Sequence, residues 1–337
     1  MLLQFYIACQ GDLTQPTTIE NTTSFTEVSF SHEQLRTASS VFCVDTNQDG
    51  NDEILLVDNG TLYIDNQATE LNAGVQRHFR TENSLWFATG FAKGFRDAPM
   101  TVYRYDKKGL ATVWTDSGHR NQITDLSIVD NKLYLAKFSE KTTIQGGWLE
   151  DSIQPIFEAN MAMRQQPLPE NPDKIIVGRL YGDTPRSDGD LFVFEKGKKT
   201  PLQNFRGIRS LTIADLNADG HSDLLVGDGW HYKYSEMGQA RLSVYYGPSF
   251  VDRRTLAILD DEYTINHIEL HRNKSLILAQ GTSGVYILEQ SPFGWKQHRL
   301  GRTTESSDAT LCYTNNDSFV IAAGNTTAKY SLSPLLK

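Results

Sequence analysis

Short apolar runs rich in Val, Ile, Leu, Phe and Tyr recur along the chain, broken by clusters of Gly, Asn, Asp and Ser. No long apolar pattern of period 3.6 stands out, which predicts strands and hairpins instead of amphipathic helices. The second and third strands of a repeated unit stand out in "EILLVDNGTLYI", "NSLWFATGF…MTVYRY", "DNKLYLAKF…GGWLED" and "DKIIVGRLYGD…DLFVFEKG". The series continues in "SDLLVGDGW…RLSVYYG", "KSLILAQGTSGVYILEQ" and "DSFVIAAGNTTAKYSL". These are seven units of roughly 40 to 50 residues each, running from about residue 24 to 337.

A small antiparallel sheet cannot bury both faces alone. Radial packing lets each sheet cover its neighbours, and closure protects most edges. The pattern therefore predicts an all-β, seven-bladed β-propeller, with a solenoid as the poorer fit for irregular multi-strand units. The last unit stops after its third strand, at "KYSL", and "SFTEVSF" (residues 24 to 30) is expected to supply the missing outer strand.

Two first hairpins differ from the rest. "DTNQDGNDE" (45 to 53) and "DLNADGHSD" (215 to 223) align without a gap, placing Asp45, Asn47, Asp49, Asn51 and Glu53 on Asp215, Asn217, Asp219, His221 and Asp223. Alternate oxygen-bearing residues around a Gly at position six suit a hard cation, with Asn51 and His221 offering only their carbonyls. An EF-hand would need its closing Glu at position twelve between helices, but Leu56 and Val226 fall there inside strand-like runs. The competing reading is a plain polar turn, since Asp, Asn and Gly are ordinary turn formers.

In architecture and in this D-x-N-x-D-G loop, the chain resembles the FG-GAP-like, or VCBS-repeat, propellers, related in fold to the propeller of integrin α chains. The resemblance implies that each loop joins the first two strands of a blade and binds one Ca2+. It implies ligands at Asp45, Asn47, Asp49, Asn51 and Glu53, and at Asp215, Asn217, Asp219, His221 and Asp223. The other five units lack the loop, and literal Phe-Gly and Gly-Ala-Pro signatures are missing.

A net charge of −9 argues against a general nucleic-acid binder. No apolar run is long enough for a transmembrane helix. The start, "MLLQFYIACQG", resembles the end of a bacterial lipoprotein signal, with Cys9 as the lipidation site and residues 10 to 23 as a polar tether. Tyr6 in place of the usual Leu and the missing basic start leave an ordinary apolar N-terminus as the other reading. Membrane contact is thus expected only through a lipid anchor, and the protein is expected to lie outside the cytoplasm as a monomer. Cys43 and Cys312 fall at equivalent places in the first and last units; two buried thiols are expected, because inner strands of adjacent blades are often too far apart to bridge.

On the face opposite the Asp-rich hairpins, four long loops from consecutive units gather candidate ligand-binding residues. These include Arg96, Arg179, Asp183, Arg186, Asp228, Trp230 and His231, and loops between blades add Arg36, Arg120, Arg164, Arg209 and Arg302. An arginine-bearing face on an acidic protein suits an acidic glycan or a carboxylate-bearing protein segment. Taken one by one, these residues also fit an ordinary solvated rim. The primary expectation is a non-enzymatic binding module for a protein or glycan. The alternative is a polysaccharide lyase or hydrolase, with His231 and Asp228 as an acid–base pair.

Overall fold

The computed structural model describes residues 27–28, 40–58, 60–64, 67–90, 98–116, 122–138, 142–148, 153–159, 163–179, 191–202, 207–229, 239–259, 262–271, 275–281, 284–292, 294–302, 310–315, 317–323, 326–332 and 335. Every regular element among them is a strand. The strands form seven four-stranded antiparallel sheets. Their inner strands are Ser40–Val44, Val75–Arg80, Gln122–Val129, Met163–Leu168, Gly207–Ala214, His267–Leu270 and Thr310–Thr314, defining blades 1 to 7.

Strand alternation explains how the ring holds together. In blade 1, Leu55 and Val57 enter the core shared with blade 2, while Leu56 enters the core shared with blade 7. In blade 5, Leu224 and Val226 pack towards blade 4 and Leu225 towards blade 6. Blade 6 repeats the rule: Leu276 and Leu278 face blade 7, and Ile277 and Ala279 face blade 5. A central strand buried on both faces in this way reads as a continuous apolar run rather than as an alternating one. Each hydrophobic cluster lies between two neighbouring blades, and together they cover all seven interfaces, including that between blades 7 and 1. The molecule is a closed, seven-bladed β-propeller.

Closure uses both ends of the chain. Glu27–Val28 pairs antiparallel with the third strand of blade 7, Glu27 opposite Tyr330 and Val28 opposite Lys329. A strand from before blade 1 thereby becomes the outer strand of blade 7. The second bond across this seam is covalent: Cys43 and Cys312 form a disulfide, with Cα atoms 5.7 Å apart. This corrects the expectation of two free thiols. Small neighbours at the seam, including Val41 and Ala322, let the two inner strands approach within bridging distance.

Candidate functional site

The two Asp-rich hairpins fold alike. Each connects the inner strand of its blade to the second strand, with Val44 paired to Glu53 and Ala214 paired to Asp223. Left-handed backbone recurs at matching positions, Gln48 and Gly50 in one and Ala218 and Gly220 in the other. Asp45 accepts hydrogen bonds from the Asp49 and Gly50 amides at 3.1 and 2.9 Å; Asp215 accepts from the Asp219 and Gly220 amides at 3.2 and 3.1 Å. Asn47 and Asn217 accept from the same residues, Asp49 and Asp219. At position nine, Glu53 accepts from the Thr46 amide and Asp223 from the Leu216 amide, both at 2.8 Å.

Two further amides favour the ionised form of the carboxylates at position five. The Asn51 amide holds Asp49 below the usual carboxylate range, and the His221 amide does the same for Asp219. Carboxylate and amide oxygens are the donors that a hard cation takes, and each oxygen engaged by one N–H group retains a further lone pair. The residues therefore fit Ca2+ by donor chemistry. The three carboxylates of each loop are nonetheless spread too widely for one oxygen from each to lie within 4.8 Å of the other two.

Position eight ties each loop to the blade before it. Asp52 accepts the backbone N–H of Asn315 in the first hairpin of blade 7, and Asn315 Nδ2 reaches Asp45 at 3.4 Å. In blade 5, Ser222 donates to Glu170, in the first hairpin of blade 4, at 2.7 Å. Burial raises the Asp52 carboxyl despite this bond and nearby Arg80. A hairpin held in shape thus also fixes the angle between two blades.

The axis of the ring is lined by charged and polar side chains. Arg77 donates to the Thr124 carbonyl and Arg164 to the carbonyls of Arg209 and Thr124, linking blades 2 to 5. Asp125 accepts from the Gln165 amide at 2.7 Å; burial raises its carboxyl, against the pull of Arg164. Further round, Arg80 donates to the carbonyls of Cys43 and Tyr313 and lies 3.7 Å from Glu269 Oε1. His78 and His267 face each other across the axis, ring centroids 5.2 Å apart. Burial, reinforced by His267, lowers His78 to about 3, so its ring is neutral. Burial pushes Glu269 up, but His267 and Arg80 outweigh it and hold the carboxylate ionised.

A groove of about 470 Å3 opens on the hairpin face between blades 1, 2 and 3. Thr46, Asn47 and Gln48 of the first Asp-rich loop form one wall, and Asp130 and Asn131 the other. Its floor is Trp86, only 3% exposed, with Arg104 lying 5.6 Å over the ring and paired to Asp106 at 3.0 Å. The indole is covered, so the groove presents polar and charged groups rather than an aromatic platform.

The opposite rim is described only in part. Arg96, Arg120, Asp183, Arg186, Trp230 and His231 lie outside the described residues, as does Cys9. Arg179 ends the second strand of blade 4, half-buried. Asp228 is 2% exposed on the second strand of blade 5 and accepts the Arg241 amide at 2.8 Å. Arg164 and Arg209 belong to inner strands rather than to loops between blades, a correction to the sequence reading.

No protein-family model matches the chain, and no curated protein matches it. Among solved structures, the chain is similar to the extracellular domain of a protein described as a hybrid two-component system from B. thetaiotaomicron, at 13% identity and TM-score 0.57. That match covers 90% of this chain and 39% of the other, so the chain spans about two-fifths of that relative. It is also similar to a chain of a mitotic checkpoint complex, at 10% identity and TM-score 0.56, covering 98% of this chain and 99% of the other. Two such different proteins share the architecture alone.

Proposed function

We propose that the chain is a calcium-stiffened interaction module of the bacterial cell envelope, of the FG-GAP-like or VCBS-repeat kind, recognising a protein or an acidic glycan. The observation that carries this reading is the pair of Asp-rich hairpins, alike in hydrogen bonding and each joined to the preceding blade. Asp45, Asn47, Asp49, Glu53 and the Asn51 carbonyl would hold one Ca2+. Asp215, Asn217, Asp219, Asp223 and the His221 carbonyl would hold the other. The ion would supply fixed positive charge that draws the carboxylates of one loop together, and it leaves the chemistry of any partner untouched.

Two features support a location outside the cytoplasm. The Cys43–Cys312 disulfide suits an oxidising compartment. One structural neighbour is an extracellular domain. Cys9 in its lipobox-like setting would tether the propeller to a membrane. Partner contact is assigned to the rim opposite the Asp-rich hairpins, with Arg179 on its edge, and the groove beside the first loop is the competing surface.

A glycan array probed with and without Ca2+ tests the proposal, alongside calorimetric titration of Ca2+. Two bound ions and calcium-dependent retention of an acidic glycan or a protein partner are the expected result. Loss of retention in Arg179→Ala but not in Arg104→Ala places the contact on the rim, and the reverse places it in the groove. Absence of any Ca2+ uptake would remove the basis of the reading.

A further inference from the structure

We propose that His78, His267 and Glu269 form a binding site for a divalent transition-metal ion on the propeller axis, separate from the Asp-rich hairpins. Among the described residues, they are the only three His, Cys, Asp or Glu side chains whose ligating atoms all lie within 4.8 Å of one another. The ligands come from blades that are not neighbours: His78 from the inner strand of blade 2, His267 and Glu269 from that of blade 6. His267 and Glu269 are two residues apart on one strand, so both side chains leave the same face.

Local geometry points to an ion rather than to a simple ion pair. His267 Nε2 is buried and has no hydrogen-bond partner. It lies 3.7 Å from Glu269 Oε2, a long polar contact rather than a well-formed hydrogen bond. Two ligands each about 2.1 Å from one ion stand about 3.4 Å apart in tetrahedral geometry, which is close to that spacing. A buried ring nitrogen with no partner is costly to keep, and a shared cation would satisfy it.

Glu269 is divided between two tasks. Its Oε1 faces Arg80, whose guanidinium is anchored by the carbonyls of Cys43 and Tyr313. Its Oε2 faces His267 and remains available. Phe42 packs against the His78 ring at 4.7 Å between centroids and limits its rotation. Two imidazoles and a carboxylate are borderline donors that suit Zn2+, Mn2+ or Fe2+ better than Ca2+. Three protein ligands leave at least one coordination position for water or another ligand. The ion would brace blade 2 against blade 6 across the axis.

Cobalt(II) titration of the chelator-stripped, full-length protein is the direct test. The site predicts visible d–d absorption saturating at one Co2+ per chain, displaced by Zn2+ and unaffected by excess Ca2+. Glu269→Gln and His267→Ala should weaken binding at least about ten-fold. A double Asp45→Ala, Asp215→Ala variant should bind Co2+ as the unmodified protein does. Should a ligand variant not fold, the spectrum of the unmodified protein decides alone: tetrahedral or five-coordinate Co2+ bands support the site. No stoichiometric uptake, or uptake that survives loss of Glu269 and His267 alike, overturns it.

Discussion

Cys43 and Cys312 are bonded across the seam where blade 1 meets blade 7, although 269 positions separate them in the sequence. The bond closes nearly the whole propeller into one covalent loop. Its interface holds few buried apolar side chains among the described residues, Val41, Leu56, Val320 and Ala322 beside the cysteines themselves. In a chain-entropy account, bridging so long a loop stabilises by up to about 5 kcal/mol, and measured bridges commonly give about 2–4 kcal/mol. Reduction should therefore lower the melting temperature by about 3–6 °C, and a double Cys43→Ser, Cys312→Ser variant should match the reduced protein. Coincident melts with and without reductant would refute a stabilising role.

The seam also marks the limit of what the sequence can tell. Second and third strands were legible because apolar runs such as Ile54 to Val57 are short, rich in β-branched residues and bounded by Asn or Gly turns, which favours central strands over helix. The acidic hairpins were legible because their pattern of Asp, Asn and Gly is local. Long-range geometry is not. Whether Cys43 and Cys312 meet depends on how small neighbours such as Ala322 let two distant strands approach, and no spacing encodes that. The axial cluster escaped for a related reason: His78 and Glu269 lie far apart in the chain. One signal was present, the polar residues in "VQRHFR" and "HIEL", inner strands where full burial would demand apolar ones. The same polarity makes Arg164 and Arg209 read as loop residues, although both lie on inner strands.

Blade packing leaves no room for a methyl group at Gly178. A Cβ there would lie 2.6 Å from the Cβ and Cγ2 atoms of Ile208, a fully buried, β-branched side chain on the next blade. Gly178→Ala should destabilise by about 1–3 kcal/mol, because neither strand can withdraw without disturbing its own sheet. Gly74→Ala, where a Cβ meets nothing within 4 Å, is the matched control and should change stability little. Equal melting points for the two variants would show that the interface yields.

Alkaline pH should loosen the interface between blades 4 and 5 through Tyr245. Burial raises its phenol to about 12, partly offset by Arg253, whose guanidinium lies 5.5 Å over the ring. The folded value is above the unfolded value near 10, so this contribution is intact below pH 10 and is lost as pH rises towards 12. In phenolate absorbance, Tyr245→Phe should remove a late-titrating step from the folded protein. Its stability should also fall less steeply above pH 10. An unchanged late step would assign it to another tyrosine.

Calcium and the disulfide should act on the same seam. Asp45 lies two residues from Cys43 and accepts from Asn315, which lies three residues from Cys312; Asp52 holds the Asn315 amide. The second hairpin instead contacts blade 4 through Ser222 and Glu170, away from that seam. Under the calcium reading, an ion at about one hundred times its dissociation constant stabilises by about 2.7 kcal/mol. Asp45→Ala and Asp215→Ala should each remove one ion and lower the melting temperature in Ca2+, and chelation should shrink the difference from unmodified protein to what the lost loop hydrogen bonds contribute. Neighbouring interactions are non-additive, whereas distant ones add within about 0.5 kcal/mol. Combining each variant with the double cysteine replacement should therefore give a coupling above about 0.5 kcal/mol for Asp45→Ala and simple addition for Asp215→Ala. Additivity in both cycles would mean that the first hairpin stiffens its own blade without helping to close the ring.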